Sequence, residues 1–191
     1  MGIRTIAAAA AALAAASAFA ALKEGDRAPA FTAQASLAGK PFTYSLKDGL
    51  AKGPVVVYFY PAAFTSGCSI QARAFAESRE RFAAAGASIV GVSLDGIERL
   101  NEFSADPQSC AGKLAVASDA DGRIARSYDL HVSAPVSGAK DTRGAQIDHG
   151  FAERTTFVVK PDRTIAATVG GLSPQANVQK ALEAVQRLSG R

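Results

Sequence analysis

Val55-Val56-Val57-Tyr58-Phe59-Tyr60 sets β-branched and aromatic side chains on both faces of one extended segment. That pattern predicts a central strand covered on both sides. Ser88-Ile89-Val90-Gly91-Val92-Ser93-Leu94 predicts a second buried strand. Between them, from about Cys68 to Ala85, Ile70, Phe75 and Phe82 stand among Arg73, Glu77, Arg79, Glu80 and Arg81. This is an amphipathic helix, ended by Gly86. Asp95 is placed to cap a helix running to about Ala105, Leu114 to Ala117 reads as a short strand, and Asp119 or Asp121 opens a helix that ends at Tyr128.

Nearer the start, Lys23 to Phe31 is a polar, turn-rich lead-in, Phe42 to Leu46 alternates like a strand, and Lys47-Asp48-Gly49 reads as a turn. At the other end, Thr155 to Val159, the turn Pro161-Asp162, and Thr164 to Val169 predict a β-hairpin. Ser173-Pro174 then caps a last amphipathic helix with Val178, Leu182, Val185 and Leu188 on one face. His131 to Gly150 is too long for a simple turn, so it is a functional loop or an ornamented hairpin. The βαβ units followed by a hairpin and a helix predict an α/β, thioredoxin-like fold: a central mixed β-sheet flanked by helices on both faces.

The first twenty residues read differently. Arg4 precedes an almost unbroken apolar run from Thr5 to Ala16, and Ala18-Phe19-Ala20 has the form of a cleavage site. The run is shorter than the ~20 apolar residues that span a bilayer. Residues 1–20 are therefore expected to be a signal peptide and 21–191 a single domain, periplasmic or secreted, with no stable membrane association after cleavage. Such a compartment lets cysteines pair. Of the formal net charge of +4, Arg4 supplies one, and the remaining basic residues are scattered. That excludes a nucleic-acid surface. Two histidines and two cysteines, none at short ligand spacing, make no zinc pattern.

The chemistry centres on Cys68. It follows the Val-rich strand and the turn Pro61 to Gly67, at the start of the predicted helix. The positive end of a helix dipole favours thiolate over thiol, and the thiolate is the reactive species. Pro61, Thr65 and Cys68 form Pro-x-x-x-Thr-x-x-Cys. This resembles the active-site signature of the peroxiredoxins, thiol-dependent peroxidases of thioredoxin fold. Gly25-Asp26-x-Ala28-Pro29-x-Phe31, Ile89 to Ser93, Ser118-Asp119-x-Asp121-Gly122 and Arg154 to Val159 are similar to further segments of that family, in the same order. The resemblance extends over nearly all of the chain beyond Lys23, and within the family the chain resembles the bacterioferritin-comigratory-protein branch.

The resemblance implies that Cys68 is the peroxidatic nucleophile, reducing hydrogen peroxide and small organic hydroperoxides without metal, flavin, haem or other cofactor. Arg154 would hold the thiolate and stabilise charge developing on the peroxide. The Thr65 hydroxyl would accept from the substrate and donate to the thiolate, and Pro61 would shape the pocket wall. The backbone N–H groups of Gly67 and Cys68 would add donors. In some members of the branch a resolving cysteine stands five residues after the nucleophile; here that residue is Arg73. Others place it in a later helix, near Cys110, which implies a Cys68–Cys110 disulfide reduced by a thioredoxin-like or other dithiol donor. A buried spectator thiol and a permanent structural disulfide stand as alternatives for Cys110.

Many members of the family carry Glu where this chain has Gln71. His131 and His149, at the two ends of the long loop, are expected to be solvated and are assigned no role. The expected assembly is a monomer or weak dimer. Two rivals remain: a thiol–disulfide oxidoreductase, disfavoured by the lack of Cys-x-x-Cys, and a non-enzymatic periplasmic module with its cysteines permanently paired.

Overall fold

The computed structural model describes residues 20–190, so the expected signal peptide falls almost wholly outside the described residues. Seven strands form one sheet in the order β2-β1-β5-β4-β3-β6-β7. At its centre β3 (Val55–Phe59) is buried at every residue, parallel to β4 (Ser88–Ser93) and antiparallel to β6 (Thr155–Val159). β4 continues parallel into β5 (Ala115–Ser118), and β6 turns back into β7 (Ile165–Gly170). This is the expected mixed sheet.

Alternation along β3 sorts the core into two layers. Val56 and Tyr58, with Tyr60 beyond the strand's end, face a cluster with α2 (Ser66–Ala84), α3 (Ile97–Ala105) and α5 (Pro174–Leu188). Val55, Val57 and Phe59 face a second cluster with α1 (Leu46–Leu50) and α4 (Arg123–Ser127). Helices thus cover both faces, but unequally: the three long ones share one layer, and two short ones lie on the other.

Several elements depart from the sequence reading. Residues 47–49 are not an open turn but part of α1, whose N-cap Ser45 accepts a hydrogen bond from the Asp48 N–H at 3.3 Å. β1 (Thr32–Leu37) was not anticipated; its short, mostly polar and alanine side chains carry no β-branched signal beyond Thr32. It pairs with β2 (Lys40–Ser45) and with β5. Asp95 does not cap α3, whose N-cap is Gly96. Its carboxylate is fully buried and turned inward. The last helix begins as expected, with Ser173 accepting from the Ala176 N–H and Pro174 in its first turn. None of the described helices is long and apolar enough to cross a membrane.

Candidate active site

Strand pairing brings the predicted residues together. In the β3–β6 register Phe59 lies opposite Thr155, so Arg154 arrives beside the point where β3 hands over to the turn 61–65. Pro61 has no N–H to continue the sheet, and the Tyr60 N–H makes the bond just before it, to the Val92 carbonyl at 3.1 Å. The turn leads into α2 with Thr65 as N-cap. Cys68 is the third helical residue and only 1% exposed.

Arg154 Nη2 donates to Cys68 Sγ at 3.3 Å. Its Nη1 donates to Gln71 Oε1, with a longer contact to the Gly67 carbonyl at 3.5 Å. The planar guanidinium therefore grips the sulfur and the helix turn behind it at once. Gly67 is what lets it approach: a Cβ at that position would lie 3.2 Å from Nη2. Gly67, at the second helical position, has an N–H with no intrahelical acceptor. The Cys68 N–H, expected as a substrate donor, is instead committed to the Thr65 carbonyl at 3.0 Å.

Gln71 is fully buried and explains its own identity. Its Nε2 donates to Asn177 Oδ1 at 3.0 Å, Thr156 Oγ1 donates to the same oxygen at 2.6 Å, and Asn177 Nδ2 donates to the Val169 carbonyl at 3.0 Å. A side chain facing both Arg154 and an amide oxygen must accept at one end and donate at the other. Glutamine does both; ionised glutamate only accepts.

Thr65 differs from expectation. Its hydroxyl donates to the Ala62 carbonyl at 2.9 Å, so the proton is committed to the turn rather than to Cys68, and its lone pairs remain to accept. The preceding residue, Phe64, has φ of 61°, a left-handed conformation that costs a non-glycine residue about 1–2 kcal/mol. The surroundings hold it there. Its carbonyl accepts from the Thr142 N–H at 3.1 Å and from Thr142 Oγ1 at 2.8 Å. The Arg143 guanidinium lies 3.3 Å from its ring centroid, and Phe103 packs edge-on at 5.1 Å.

Thr142 and Arg143 belong to the long loop, which is an ornamented hairpin: Lys140 bridges Gln146, and Val132 bridges Ala152. Its tip docks on the turn that carries the nucleophile's helix. His131 is exposed, as expected, but His149 is not: its side chain is 15% exposed and joins a buried charge cluster with Asp95. Sequence reasoning missed Asp95, Arg99, Asp141 and His149 as contributors to this end of the sheet. The one available signal was a lone Asp after a buried strand, which was read as a helix cap.

Cys110 lies in the turn after α3, fully buried, and both cysteines are free thiols. Burial pushes the Cys110 thiol well above its ordinary range; the Asp106 charge adds to this, and the Tyr58 hydroxyl opposes it. Tyr58 stands in the electrostatic reach of both sulfurs. The Cys110 turn is tied to the nucleophile's helix by Ser109 Oγ to Ser69 Oγ at 3.2 Å and by Arg73 to the Pro107 carbonyl. A depression of about 670 Å³ lies between Phe64, Ser69 and the Asp106–Gln108 segment. A second cavity, of about 440 Å³, lies between β2, α1 and the far end of α2, and none of the site residues lines it. No cluster of side chains among the described residues is suited to hold a metal.

The AhpC/TSA family profile matches residues 24–168. A protein of Mycobacterium tuberculosis that carries the peroxiredoxin name is 33% identical over 159 residues, covering 83% of this chain and 92% of its own. Chloroplastic peroxiredoxin Q of Sedum lineare is 44% identical over 86 residues, 45% of this chain and less than half (44%) of that relative's length. Among solved structures, peroxidoxin BcpB of Mycobacterium tuberculosis superposes with a TM-score of 0.73 at 28% identity, covering 87% of this chain and 98% of that one. The bacterioferritin comigratory protein of Xanthomonas campestris gives 0.64 at 26% identity, covering 82% and 91%.

Proposed function

The chain belongs to the AhpC/TSA family and is a peroxiredoxin, and on that premise we propose that Cys68 reduces hydrogen peroxide and small organic hydroperoxides. The observation that carries this reading is the 3.3 Å contact from Arg154 Nη2 to Cys68 Sγ at the start of α2. The Cys68 thiolate attacks one peroxide oxygen, the O–O bond breaks, and the peroxide proton moves to the departing oxygen; water or an alcohol leaves, and the sulfenate takes a proton from solvent to become sulfenic acid. Arg154 opposes the charge that builds on the reacting oxygens, and a Thr65 lone pair accepts a hydrogen bond from the peroxide O–H, orienting it. Pro61 shapes the wall at the strand's end.

Cys110 is the resolving cysteine in this proposal. Its sulfur attacks the sulfenic sulfur, water leaves, and a Cys68–Cys110 disulfide forms; a dithiol donor, thioredoxin-like, then reduces it by two exchanges. Cys110 is fully buried, and its thiol is held protonated by that burial. Both the Asp106–Lys113 turn and the first turn of α2 therefore open before the bond forms. Ala111, with φ of 53°, gives the Cys110 turn a left-handed non-glycine residue, as Phe64 does on the side of α2. The nearby depression offers the donor an approach. In this proposal the enzyme is periplasmic or secreted, a reading supported by the leader-like residues 1–20, and it acts as a monomer or weak dimer.

Turnover with a dithiol donor tests the scheme. Cys68→Ser loses all peroxide consumption, whereas Cys110→Ser consumes one equivalent and then stalls. Full turnover by Cys110→Ser would remove Cys110 from the cycle.

A further inference from the structure

His149 touches two oxygens through its two ring nitrogens. Nε2 lies 3.0 Å from Asp95 Oδ1, and Nδ1 lies 2.7 Å from the Gly150 carbonyl. The carbonyl can only accept. Asp95 also accepts, because Oδ2 takes the Ala63 N–H at 2.7 Å and the Ser93 hydroxyl at 2.8 Å, and Arg99 Nε lies 2.9 Å from Oδ1. Each ring nitrogen therefore has to donate, and only the imidazolium donates from both.

The same cluster holds the turn before Cys68. Ala63 gives its N–H to Asp95 and receives Arg99 Nη2 on its carbonyl at 2.9 Å. Arg99 is fixed from behind by Asp141 at 2.8 Å, and Asp141 by Arg143 at 3.2 Å, whose guanidinium covers Phe64. The residue whose two backbone groups are held thus precedes the left-handed Phe64, and Thr65 and α2 follow. We propose that His149, as an imidazolium between Asp95 and Gly150, is a positioning residue that fixes the Cys68 turn, and that peroxide reduction slackens when it loses that proton. This rests on the peroxidase reading above.

The charged and titratable groups facing the pair are Asp95, Arg99 and Asp148, with Asp141 acting through Arg99; Tyr60 is packed nearby, and burial keeps its hydroxyl neutral. Burial works against the charged imidazole, but the Asp95 and Gly150 hydrogen bonds and the Asp95 and Asp148 charges outweigh it and hold His149 above its ordinary range. Burial likewise works against the Asp95 carboxylate, and the His149, Ala63 and Ser93 hydrogen bonds outweigh it and hold Asp95 below its range. For a raised histidine the contribution is complete below about 6.5 and is lost as pH rises through the raised value. For a lowered aspartate it is complete above about 3.9 and is lost as pH falls through the lowered value. The clamp is therefore whole in mildly acidic solution and opens on the alkaline side. Once neutral, one nitrogen faces an oxygen lone pair to lone pair. The Gly150 carbonyl shares its peptide group with the Phe151 N–H, which donates to Ser133 Oγ at 3.0 Å, so the Asp95 contact is the one that yields.

The chain has two histidines, so nitrogen-detected imidazole spectra of the reduced, intact protein contain two rings. One ring, absent in His149→Gln, is expected to stay doubly protonated well above about 6.5, the ordinary imidazole value. Absence of any ring that keeps both protons above about 6.5 overturns the imidazolium clamp, even if the variant fails to fold or the wild type shows no peroxidase activity. The second arm measures Cys68 oxidation by hydrogen peroxide against pH, with Cys68 alkylation by iodoacetamide in parallel to report its thiolate. Wild-type oxidation is expected to fall on the order of 3- to 10-fold on the alkaline side while alkylation does not. His149→Gln is slower at pH 6 by a similar factor and lacks the alkaline fall. Superimposable profile shapes overturn the positioning role, whereas a wild type inert to peroxide at every pH overturns the peroxidase reading instead.

Discussion

Replacing Arg154 by Lys keeps a positive charge and removes the fork. Arg154 reaches Cys68 Sγ at 3.3 Å with one terminal nitrogen and Gln71 with the other. A single ammonium cannot occupy both places in one plane. The variant therefore loses one charge-assisted hydrogen bond where charge develops, about 1.5–3 kcal/mol. At 1.36 kcal/mol per decade this lowers the second-order rate constant for Cys68 oxidation roughly 10- to 150-fold. Reduced protein is mixed with hydrogen peroxide, quenched with an alkylating agent at intervals, and the Cys68 peptide is quantified by mass. Arg123→Lys serves as a control, since Arg123 is 85% exposed and lies outside the site. If the ammonium chooses the sulfur, Gln71 Oε1 loses its donor, and the urea midpoint falls together with a loss of up to about 3 kcal/mol. An Arg154→Lys rate within about twofold of wild type together with an unchanged urea midpoint would refute the reasoning, because neither arm of the fork would then contribute.

Gly67→Ala separates stability from activity. A Cβ 3.2 Å from Arg154 Nη2 displaces the guanidinium by a few tenths of an ångström and slows peroxide reduction about 3- to 30-fold. The same change removes a helical glycine, so thermal stability holds or rises by up to about 1 kcal/mol; unchanged activity with raised stability contradicts the account. Gln71→Glu puts a carboxylate against Asn177 Oδ1, which cannot turn away because Nδ2 is bonded to Val169. Urea unfolding is expected to show about 1–3 kcal/mol lost, and a stabilised variant would mean the network can reverse its polarity.

The central strand, the helix start at Cys68 and the terminal hairpin were legible because each is written in local pattern. Val55 to Phe59 is apolar on both faces, and Ser173-Pro174 is a cap that local chemistry announces. The partnership of Arg154 with Cys68 came from family resemblance, since it depends on the pairing of β3 with β6 across 86 residues of sequence. Three features were beyond reach for separate reasons. α1 has five residues, too few to display a helical period. β1 is built largely from small and polar residues that carry little strand signal. Asp95 and His149 look like ordinary cap and loop residues until folding brings them from 54 positions apart into one buried pair. The direction of the Thr65 hydroxyl was beyond reach for another reason: only the turn geometry aims its proton at Ala62.

The most direct test of the central claim is the intact mass and thiol map of the reduced protein after one equivalent of hydrogen peroxide. The account predicts loss of the mass of two hydrogens, no alkylatable thiol, and a single linked peptide pair containing Cys68 and Cys110. With Cys110→Ser, the oxidised product carries one added oxygen on Cys68. Peroxide left unconsumed, or oxidation confined to Cys110 with Cys68 still alkylatable, would contradict it.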